Sequence, residues 1–253
     1  MGYETLDVRF KDGLCHVRRD RAAAGNALNA RMVDELTEVL ARCQSEPDDR
    51  PVTMVVLEGA ADVFCTGGDF EATAAGAGLD PAPLYDLWTR LAAGPFISIA
   101  LVRGRANAGG VGLACSCDLV LCDRSATFAL SELLFELFPA CVMPFLVRRI
   151  GLQKAHYLAL MTRPLGAADA LACGLADAVG DDAEALLASH LPRLGRLTRP
   201  AIARYKSFMG DLAEIVERAR PMALAANREM FEDPAVRRNI SRYVTEMKLP
   251  WEA

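Results

Sequence analysis

The stretch from Val102 to Asp118, VRGRANAGGVGLACSCD, constrains the fold of this chain more than any other segment. It continues an apolar run, FISIALVRG, that is typical of a buried β-strand. Gly109, Gly110 and Gly112 then fall where a helix is expected, although a glycine inside a helix costs about 0.5–1 kcal/mol relative to alanine. The pattern predicts a strand that turns at once into a helix whose first backbone N–H groups stay accessible.

A second pair of glycines follows another apolar run. Residues 52–59, VTMVVLEG, predict a buried strand, and VFCTGGDF then places Gly67 and Gly68 before Asp69, which we expect to brace the turn. The first N–H groups of a helix lack internal acceptors and lie at its positive end. Two such turns could each give one N–H to a single oxygen atom, which would form an oxyanion hole. For either stretch alone, a turn that only permits close packing is the alternative.

Two glutamates lie among apolar residues in ATFALSELLFELFPACVMPF, residues 126–145. Carboxylates are rarely buried unless they are paired or used in chemistry, so Glu132 is a candidate acid–base group. The alternative is an ordinary first-turn carboxylate in a helix that Ser131 caps. Helical spacing would place Glu136 on the same face as Glu132.

Composition excludes several classes of protein. The chain has 253 residues, of which 52% are hydrophobic, and a formal net charge of −5, so we expect a large core and no nucleic-acid surface. It has no apolar run long enough to span a membrane and no signal-peptide pattern, so we expect a cytoplasmic protein. The eight cysteines form no C-x-x-C pair and predict buried, reduced thiols, with no metal site.

The order of the predicted elements indicates an α/β fold. YETLDVRF and LCHVRR predict a hairpin across a D-G turn, and residues 30–43 have helical spacing. Beyond about residue 143 the sequence pattern predicts a series of successive helices. We therefore predict an α/β core over residues 1–195 and a helical C-terminal region over residues 196–253.

Four ordered blocks resemble the crotonase (enoyl-CoA hydratase/isomerase) superfamily over essentially the whole chain. They are FCTGGDF, VRGRANAGGVGLACSCDLVLCD, ATFALSELLFELFPACVMPFLVRRIG and MTRPLGAADALACGLADAV. The resemblance implies a spiral of β-β-α turns with a helical C-terminal region that builds trimers, often paired into hexamers. It also implies a thioester substrate on a pantetheine arm, an enolate held by two backbone N–H groups, and no further cofactor.

The resemblance assigns roles by position. The N–H groups of Gly68 and Gly109 would be the two donors, Gly67 and Gly110 would adjoin the substrate, and Glu132 would be a catalytic carboxylate.

Hydratases of the superfamily carry a second glutamate at the position of Gly112, which this chain lacks. We interpret Gly112 as a lost carboxylate that leaves room for a bulkier substrate.

Further blocks, including EPDDRPVTMVVLEG, PLYDLWTRLAAGPF and KLPWE, resemble the dehydrating enzymes of polyketide β-branching. That subgroup converts 3-hydroxy-3-methylglutaryl on an acyl carrier protein to 3-methylglutaconyl-carrier protein. The alternatives are a catabolic enoyl-CoA hydratase or isomerase and a catalytically weak binding protein. Glu132 beside two intact glycine turns argues against the last.

Other residues have two interpretations each. Asn107 and Tyr85 would contact the substrate's hydroxyl or distal carboxylate, or else hold the scaffold by hydrogen bonds. Arg148, Arg149 and Lys154 form either a solvated face or a docking site for an acidic carrier protein. We interpret Trp88 either as a residue of the hydrophobic core or as part of the wall of the pocket. An apolar stripe predicts a trimer interface at Ile215, Val216, Ala219, Met222 and Ala223.

Overall fold

Two β-sheets form the scaffold of the molecule. A computed structural model describes residues 2–45 and 51–252; the EPDDR segment at 46–50 lies outside the described residues, as do Met1 and Ala253. The described strands are β1 (Leu6–Lys11), β2 (Leu14–Arg19), β3 (Met54–Glu58), β4 (Val63–Cys65), β5 (Ile97–Val102), β6 (Arg105–Asn107), β7 (Leu119–Asp123), β8 (Thr127–Ala129), β9 (Leu165–Gly166) and β10 (Ala178–Gly180). The six-stranded sheet has the order β1-β2-β3-β5-β7-β10, and the four-stranded sheet has the order β4-β6-β8-β9.

Helices follow the strands and then form the C-terminal part of the chain. The described α-helices are α1 (Ala30–Gln44), α2 (Phe70–Ala74), α3 (Pro81–Ala93), α4 (Gly109–Ser116), α5 (Met143–Ile150), α6 (Leu152–Met161), α7 (Ala167–Cys173), α8 (Ala183–Leu194), α9 (Arg199–Leu212), α10 (Ile215–Glu232) and α11 (Pro234–Glu246). Short 3-10 helices cover Ala22–Ala24 and Glu132–Phe135. None of the helices within the described ranges is long and apolar enough to cross a bilayer.

From β3 to β8, consecutive strands alternate between the two sheets. β3, β5 and β7 lie in the larger sheet, and β4, β6 and β8 each follow in the smaller one. Neighbouring strands of these repeats run parallel. Helices α2 and α3 follow β4, and α4 follows β6. One turn of the spiral therefore consists of two strands followed by one or two helices. This arrangement confirms the predicted α/β fold with a spiral of β-β-α turns.

The first two strands form the predicted hairpin. β1 pairs antiparallel with β2, from Leu6 opposite Arg19 to Lys11 opposite Leu14. The two residues between them, Asp12 and Gly13, have φ angles of +49° and +79°. Two-residue turns with positive φ match the twist of the flanking strands, and Asp-Gly favours them. The D-G pair therefore determines where the chain reverses.

The central strands are apolar at almost every position because both faces of their sheet are covered. Val55 and Leu57 of β3 belong to the main core. Met54 and Val56 point to the opposite face and join a second cluster that includes Ile202 of α9. Side chains alternate between the faces of a strand, so a strand buried on both faces must be apolar throughout. This explains the apolar runs from which the strands were predicted.

The eight cysteines are free thiols, as predicted, and seven of them are buried. They fill core positions rather than linking elements. Burial raises the pKa of the Cys115 thiol to about 11, so this side chain is neutral and apolar in character.

The side chains of the basic cluster on α5 and α6 donate to backbone carbonyl groups of the chain. Arg148 Nη2 donates to the Cys115 carbonyl oxygen at 3.2 Å, and Arg149 Nη2 donates to the Cys117 carbonyl oxygen at 2.7 Å. Lys154 Nζ donates to the Cys173 carbonyl oxygen at 3.1 Å. The two arginines therefore satisfy carbonyls at the C-terminal end of α4, where cations are favourable. Neither the solvated-face nor the docking interpretation fits these two side chains.

A buried lysine attaches α9 to the rest of the molecule. Lys206 Nζ donates to the carbonyl oxygens of Leu91 and Phe96, both at 2.9 Å, and to Asp118 Oδ2 at 2.6 Å. A buried charge is stable only when it is paired and hydrogen-bonded, and all three donors of this amine are used. The predicted division at residue 195 falls in the link between α8 and α9 and stays a prediction.

The apolar stripe predicted for α10 packs largely against the chain itself. Val216 and Ala223 are buried, and Ile215 packs against the main core. Met222 is the exception, since its side chain is 71% exposed. The predicted interface is therefore wrong in detail: most of the stripe serves the fold of the monomer.

The last helix covers the side of the molecule where β4 and β8 end. Val236 and Ile240 of α11 are buried against Phe135 and Leu137. The Phe135 ring lies edge-on to Phe70 of α2, with ring centroids 5.5 Å apart. α11 thus holds α2 and the 3-10 helix Glu132–Phe135 together.

Candidate active site

The turn after β4 and the turn after β6 lie directly against each other. A Cβ atom placed on Gly67 would lie 2.8 Å from the Ala108 Cβ and 3.2 Å from the Gly109 nitrogen. Gly67 also has a φ angle of +101°, which side chains disfavour. Gly67 is therefore required so that the two turns can meet, a packing role beside the substrate contact predicted for it.

Two backbone N–H groups are left free where these turns meet. Gly68 follows the β4 turn, and Gly109 is the first residue of α4. Neither N–H has a hydrogen-bond acceptor within residues 2–45 and 51–252. A Cβ atom placed on Gly68 would meet nothing within 4 Å, so the space in front of this residue is open. Free N–H groups on adjoining turns are what an oxyanion hole requires.

The residue before Gly109 has a strained backbone. Ala108 has φ +48° and ψ −117°, outside the regions that residues with a side chain favour. Its N–H donates to the Ala129 carbonyl oxygen at 2.9 Å, and its own carbonyl accepts from Val111 N at 2.9 Å. Such strain costs about 1–3 kcal/mol and persists where the surroundings enforce it. Here it turns the chain from β6 into α4 with Gly109 at the helix start.

Gly110 lets α4 approach β4. A side chain on Gly110 would collide with the carbonyl oxygen of Cys65, the last residue of β4. Gly110 is itself buried. Gly110 therefore has a packing role beneath the site, and the substrate contact predicted for it stays a prediction.

Residues of the N-terminal segment hold β4 and the following turn in place. Arg19 donates through Nη2 to the Phe64 carbonyl oxygen at 2.9 Å, and Asn26 Nδ2 donates to the Val63 carbonyl oxygen at 3.2 Å. Leu28 N donates to the Gly67 carbonyl oxygen at 2.7 Å. Sequence reasoning missed these residues because their partners are backbone atoms about 40 positions away.

Asp69 braces the turn after Gly68, as predicted. Its Oδ1 accepts from Ala72 N at 3.0 Å and caps α2. Its Oδ2 forms an ion pair with Arg21 Nη2 at 3.0 Å. The carboxylate thereby fixes the helix that starts immediately after the free Gly68 N–H.

Two contacts bring Glu132 to this place. Ala129, three residues earlier in the chain, pairs with Asn107 and accepts from Ala108 N. Phe135, three residues later, packs on Phe70, the first residue of α2. The segment that contains Glu132 is thus attached on one side to the turn that carries Gly109 and on the other to the helix that follows Gly68.

One oxygen atom of the Glu132 carboxyl group is shielded from solvent. Its Oε2 atom is buried and has no hydrogen-bond partner within the described ranges. Burial raises the pKa of Glu132 to about 7, against a weaker opposing effect of nearby backbone N–H groups. A carboxyl group with a pKa near neutrality can both accept and return a proton at physiological pH.

The local structure around Glu132 differs from the expected helix. Residues Glu132–Phe135 form a single 3-10 turn, and Ser131 makes no side-chain capping bond. Glu136 has a φ of +63° and ends that turn, so the two glutamates are not stacked on one helical face. Glu136 is exposed and accepts from Asn239 Nδ2 at 3.3 Å. The two carboxylates therefore have separate environments, and Glu132 is the buried one.

The two other predicted substrate contacts have different surroundings. Asn107 is half-buried at the end of β6, and its side-chain amide has no hydrogen-bond partner in the described part of the chain. It remains available to a ligand. Tyr85 is fully buried, and its hydroxyl donates to the Val216 carbonyl oxygen at 2.5 Å. Tyr85 therefore joins α3 to α10, which is the scaffold role that we gave as its alternative.

The space above Gly112 is filled. A Cβ atom placed there would lie 2.5 Å from Cη2 and 2.8 Å from Cζ3 of Trp88. The prediction that Gly112 leaves room for a bulkier substrate is wrong, because the indole ring occupies that room. Trp88 belongs to the main core and packs against α4.

The sequence profile of the enoyl-CoA hydratase/isomerase family matches residues 9–253. The chain belongs to this family. It is 44% identical over 256 residues to the bacillaene synthase dehydratase PksH of Bacillus subtilis, covering 99% of this chain and 97% of that protein. It is 32% identical to a probable enoyl-CoA hydratase, echA8, of Mycobacterium leprae, covering 85% and 86% of the two chains.

Solved structures agree with the family membership. The crystal structure of a Bacillus subtilis polyketide biosynthesis enoyl-CoA hydratase has a TM-score of 0.94 to this chain at 44% identity, covering 98% of this chain and all of that one. An enoyl-CoA hydratase from Mycobacterium avium subsp. paratuberculosis has a TM-score of 0.86 at 23% identity and shares the fold. The predicted crotonase-family enzyme of hydratase type is thus confirmed.

The raised pKa of Glu132 predicts that the difference in thermal stability between the parent protein and Glu132→Gln depends on pH. Because the pKa of Glu132 is about 7 in the folded chain and near 4.5 when unfolded, the folded state loses stability as pH rises from about 4.5 through about 7, and the loss is complete above that range. Glu132→Gln removes this loss. We therefore expect the thermal midpoint of the variant to rise relative to that of the parent between pH 5 and pH 7 and the difference to level off from pH 7 to pH 9.

Differential scanning fluorimetry across that range measures the difference. The control is Glu136→Gln, which makes the same substitution at an exposed glutamate. A Glu132→Gln difference that does not change with pH would contradict the buried, unpartnered carboxyl oxygen.

Proposed function

We propose that the protein dehydrates 3-hydroxy-3-methylglutaryl-acyl carrier protein to 3-methylglutaconyl-acyl carrier protein in polyketide β-branching. The observation that carries the proposal is the buried, unpartnered carboxyl oxygen of Glu132, on a segment that is attached to both turns carrying the free N–H groups of Gly68 and Gly109. The 44% identity to a dehydratase of polyketide synthesis supports the choice of reaction.

One carboxyl group is enough for this elimination. The Glu132 carboxylate removes a proton from C2, and the electrons of the C2–H bond move into the thioester as an enolate. The N–H groups of Gly68 and Gly109 stabilise the enolate oxygen, a contribution typically of about 2.7–4 kcal/mol per donor. The enolate then forms the C2–C3 double bond as the C3–O bond breaks. Glu132 returns its proton to the departing hydroxyl, which leaves as water.

The site's surroundings suit this assignment of roles. Glu132 takes and returns the same proton, so it must have similar affinity for the proton in both steps, and a pKa of about 7 meets that need. The proposed acyl group arrives on the phosphopantetheine arm of a carrier protein, and the proposal includes no further cofactor. Such a role places the enzyme in the cytoplasm with its carrier protein.

Mass spectrometry of the carrier protein tests the reaction. We expect the purified enzyme to convert 3-hydroxy-3-methylglutaryl-carrier protein to a species lighter by one water, with no loss of carbon dioxide. The matched comparison is hydration of crotonyl-CoA by the same preparation. An unchanged carrier-protein substrate together with rapid crotonyl-CoA hydration would favour a catabolic enoyl-CoA hydratase instead.

We also propose that the chain works as a homotrimer or a pair of trimers. α9 exposes four large apolar side chains at the spacing of one helical face: Tyr205, Phe208, Met209 and Leu212. α6 exposes a second set: Leu152, Tyr157, Leu160 and Met161. Contiguous exposed apolar faces on soluble proteins commonly mark contacts with another chain.

Light scattering coupled to size exclusion tests the assembly. We expect a trimer or hexamer at micromolar concentration. Phe208→Glu on α9 should shift the population toward the monomer because it places a charge in the proposed contact, whereas Thr245→Glu on α11, a substitution at another exposed helix position, should not. A monomer in the unmodified protein would refute the assembly.

A further inference from the structure

Trp88 stands beside the first turns of α4. It is 1% exposed and lies on α3, where its indole is edge-on to Phe145 with ring centroids 5.6 Å apart. The six-membered edge of the indole lies against Gly112. Gly112 follows Gly109 by three residues, and residues three apart in a helix share a face at about 5–6 Å. The indole is therefore about one helical turn from the free Gly109 N–H.

The indole N–H has no acceptor. Trp88 Nε1 is buried and makes no hydrogen bond within the described residues. The other buried nitrogens without a hydrogen bond belong to side chains that form an ion pair or donate through another nitrogen: His16, Arg19, Arg103 and Arg149. Trp88 differs from these residues because Nε1 is the sole polar atom of its side chain. Among the described side chains, the indole therefore has no other atom that could make a hydrogen bond.

An unpaired buried donor has a cost that needs an explanation. Leaving such a group without a partner costs about 1–3 kcal/mol. The neighbouring Tyr85 on the same helix avoids this cost by donating to Val216. Trp88 and Glu132 both hold an orphaned polar atom next to the elements that carry the free N–H groups. A buried polar group that lacks a partner in the protein is typical of a site that a ligand completes.

We propose that Trp88 is a substrate-binding residue whose indole N–H donates a hydrogen bond to an oxygen atom of the bound acyl group. The proposal rests on the proposed function, because it requires an acyl thioester with oxygen beyond the thioester carbonyl. The thioester oxygen itself is already assigned to Gly68 and Gly109. The acceptor is therefore the 3-hydroxyl group or the distal carboxylate.

This role would make Trp88 a determinant of specificity. A site built to hydrogen-bond an oxygen atom discriminates against an analogue that lacks it, because the buried donor is then left unpaired. The indole also blocks any side chain at position 112. Trp88 would thus select an oxygenated acyl group over a hydrocarbon chain.

A nuclear magnetic resonance experiment tests the hydrogen bond directly. The chain has two tryptophans, and Trp251 is 61% exposed, so Trp251→Phe leaves one indole N–H signal. Glu132→Gln in the same protein prevents turnover. The ¹⁵N-labelled protein is titrated with glutaryl-, 3-hydroxybutyryl- and butyryl-pantetheine, which offer a carboxylate, a hydroxyl and neither. We expect a downfield shift of the indole proton with one oxygenated ligand and not with butyryl-pantetheine.

The outcomes separate this inference from the proposed function. If all three thioesters bind by calorimetry and none shifts the indole proton, the role of Trp88 is overturned and the proposed function stands. If none of the thioesters binds, the cleft is not a thioester site, and both proposals fail. A shift with glutaryl-pantetheine identifies the carboxylate as the acceptor, and a shift with 3-hydroxybutyryl-pantetheine identifies the hydroxyl.

A substitution provides an independent arm. Trp88→Phe keeps an aromatic ring over Gly112 and removes the donor. We expect it to erase a roughly tenfold preference in Kd for the oxygenated ligand over butyryl-pantetheine, while Trp251→Phe keeps that preference. An unchanged preference in folded Trp88→Phe would contradict the proposal, and the resonance experiment decides it if that variant does not fold.

Discussion

The contact between two glycine-containing turns is the constraint on which the site depends. Gly67 approaches Ala108 and Gly109 so closely that a side chain at 67 would overlap its neighbour. This contact brings together N–H groups from two different strands of the smaller sheet, and neither turn alone could hold one oxygen atom between two donors. Other residues near the site stabilise this contact. Arg19 and Asn26 donate hydrogen bonds to carbonyl groups of β4, and Ala108 has a strained backbone conformation.

Much of the fold could be predicted because its signals are local. Apolar runs predicted β3 and β5, and the D-G pair predicted the hairpin turn. The free N–H groups of Gly68 and Gly109 could be predicted as well, since glycines directly after buried strands are visible in the sequence. The burial of Glu132 followed from a carboxylate inside an apolar segment.

The errors share a physical cause, which is that the sequence does not show what lies opposite a residue. Gly112 suggested empty space, but α3 places Trp88 there. Tyr85 suggested a ligand contact, but α10 supplies a carbonyl 131 positions away. Arg149 suggested a charged surface, but the end of α4 supplies acceptors for it. Each partner comes from a distant element, so only the three-dimensional packing reveals it.

The central claim is that one carboxyl group, Glu132, moves both protons at a site where two N–H groups hold the enolate. Single-turnover kinetics of Glu132→Gln with 3-hydroxy-3-methylglutaryl-carrier protein tests it most directly. The account predicts a rate lower by about 10²-fold or more with substrate affinity nearly unchanged, whereas Glu136→Gln stays close to the parent. A folded Glu132→Gln enzyme that dehydrates the substrate at close to the parent rate would contradict the account.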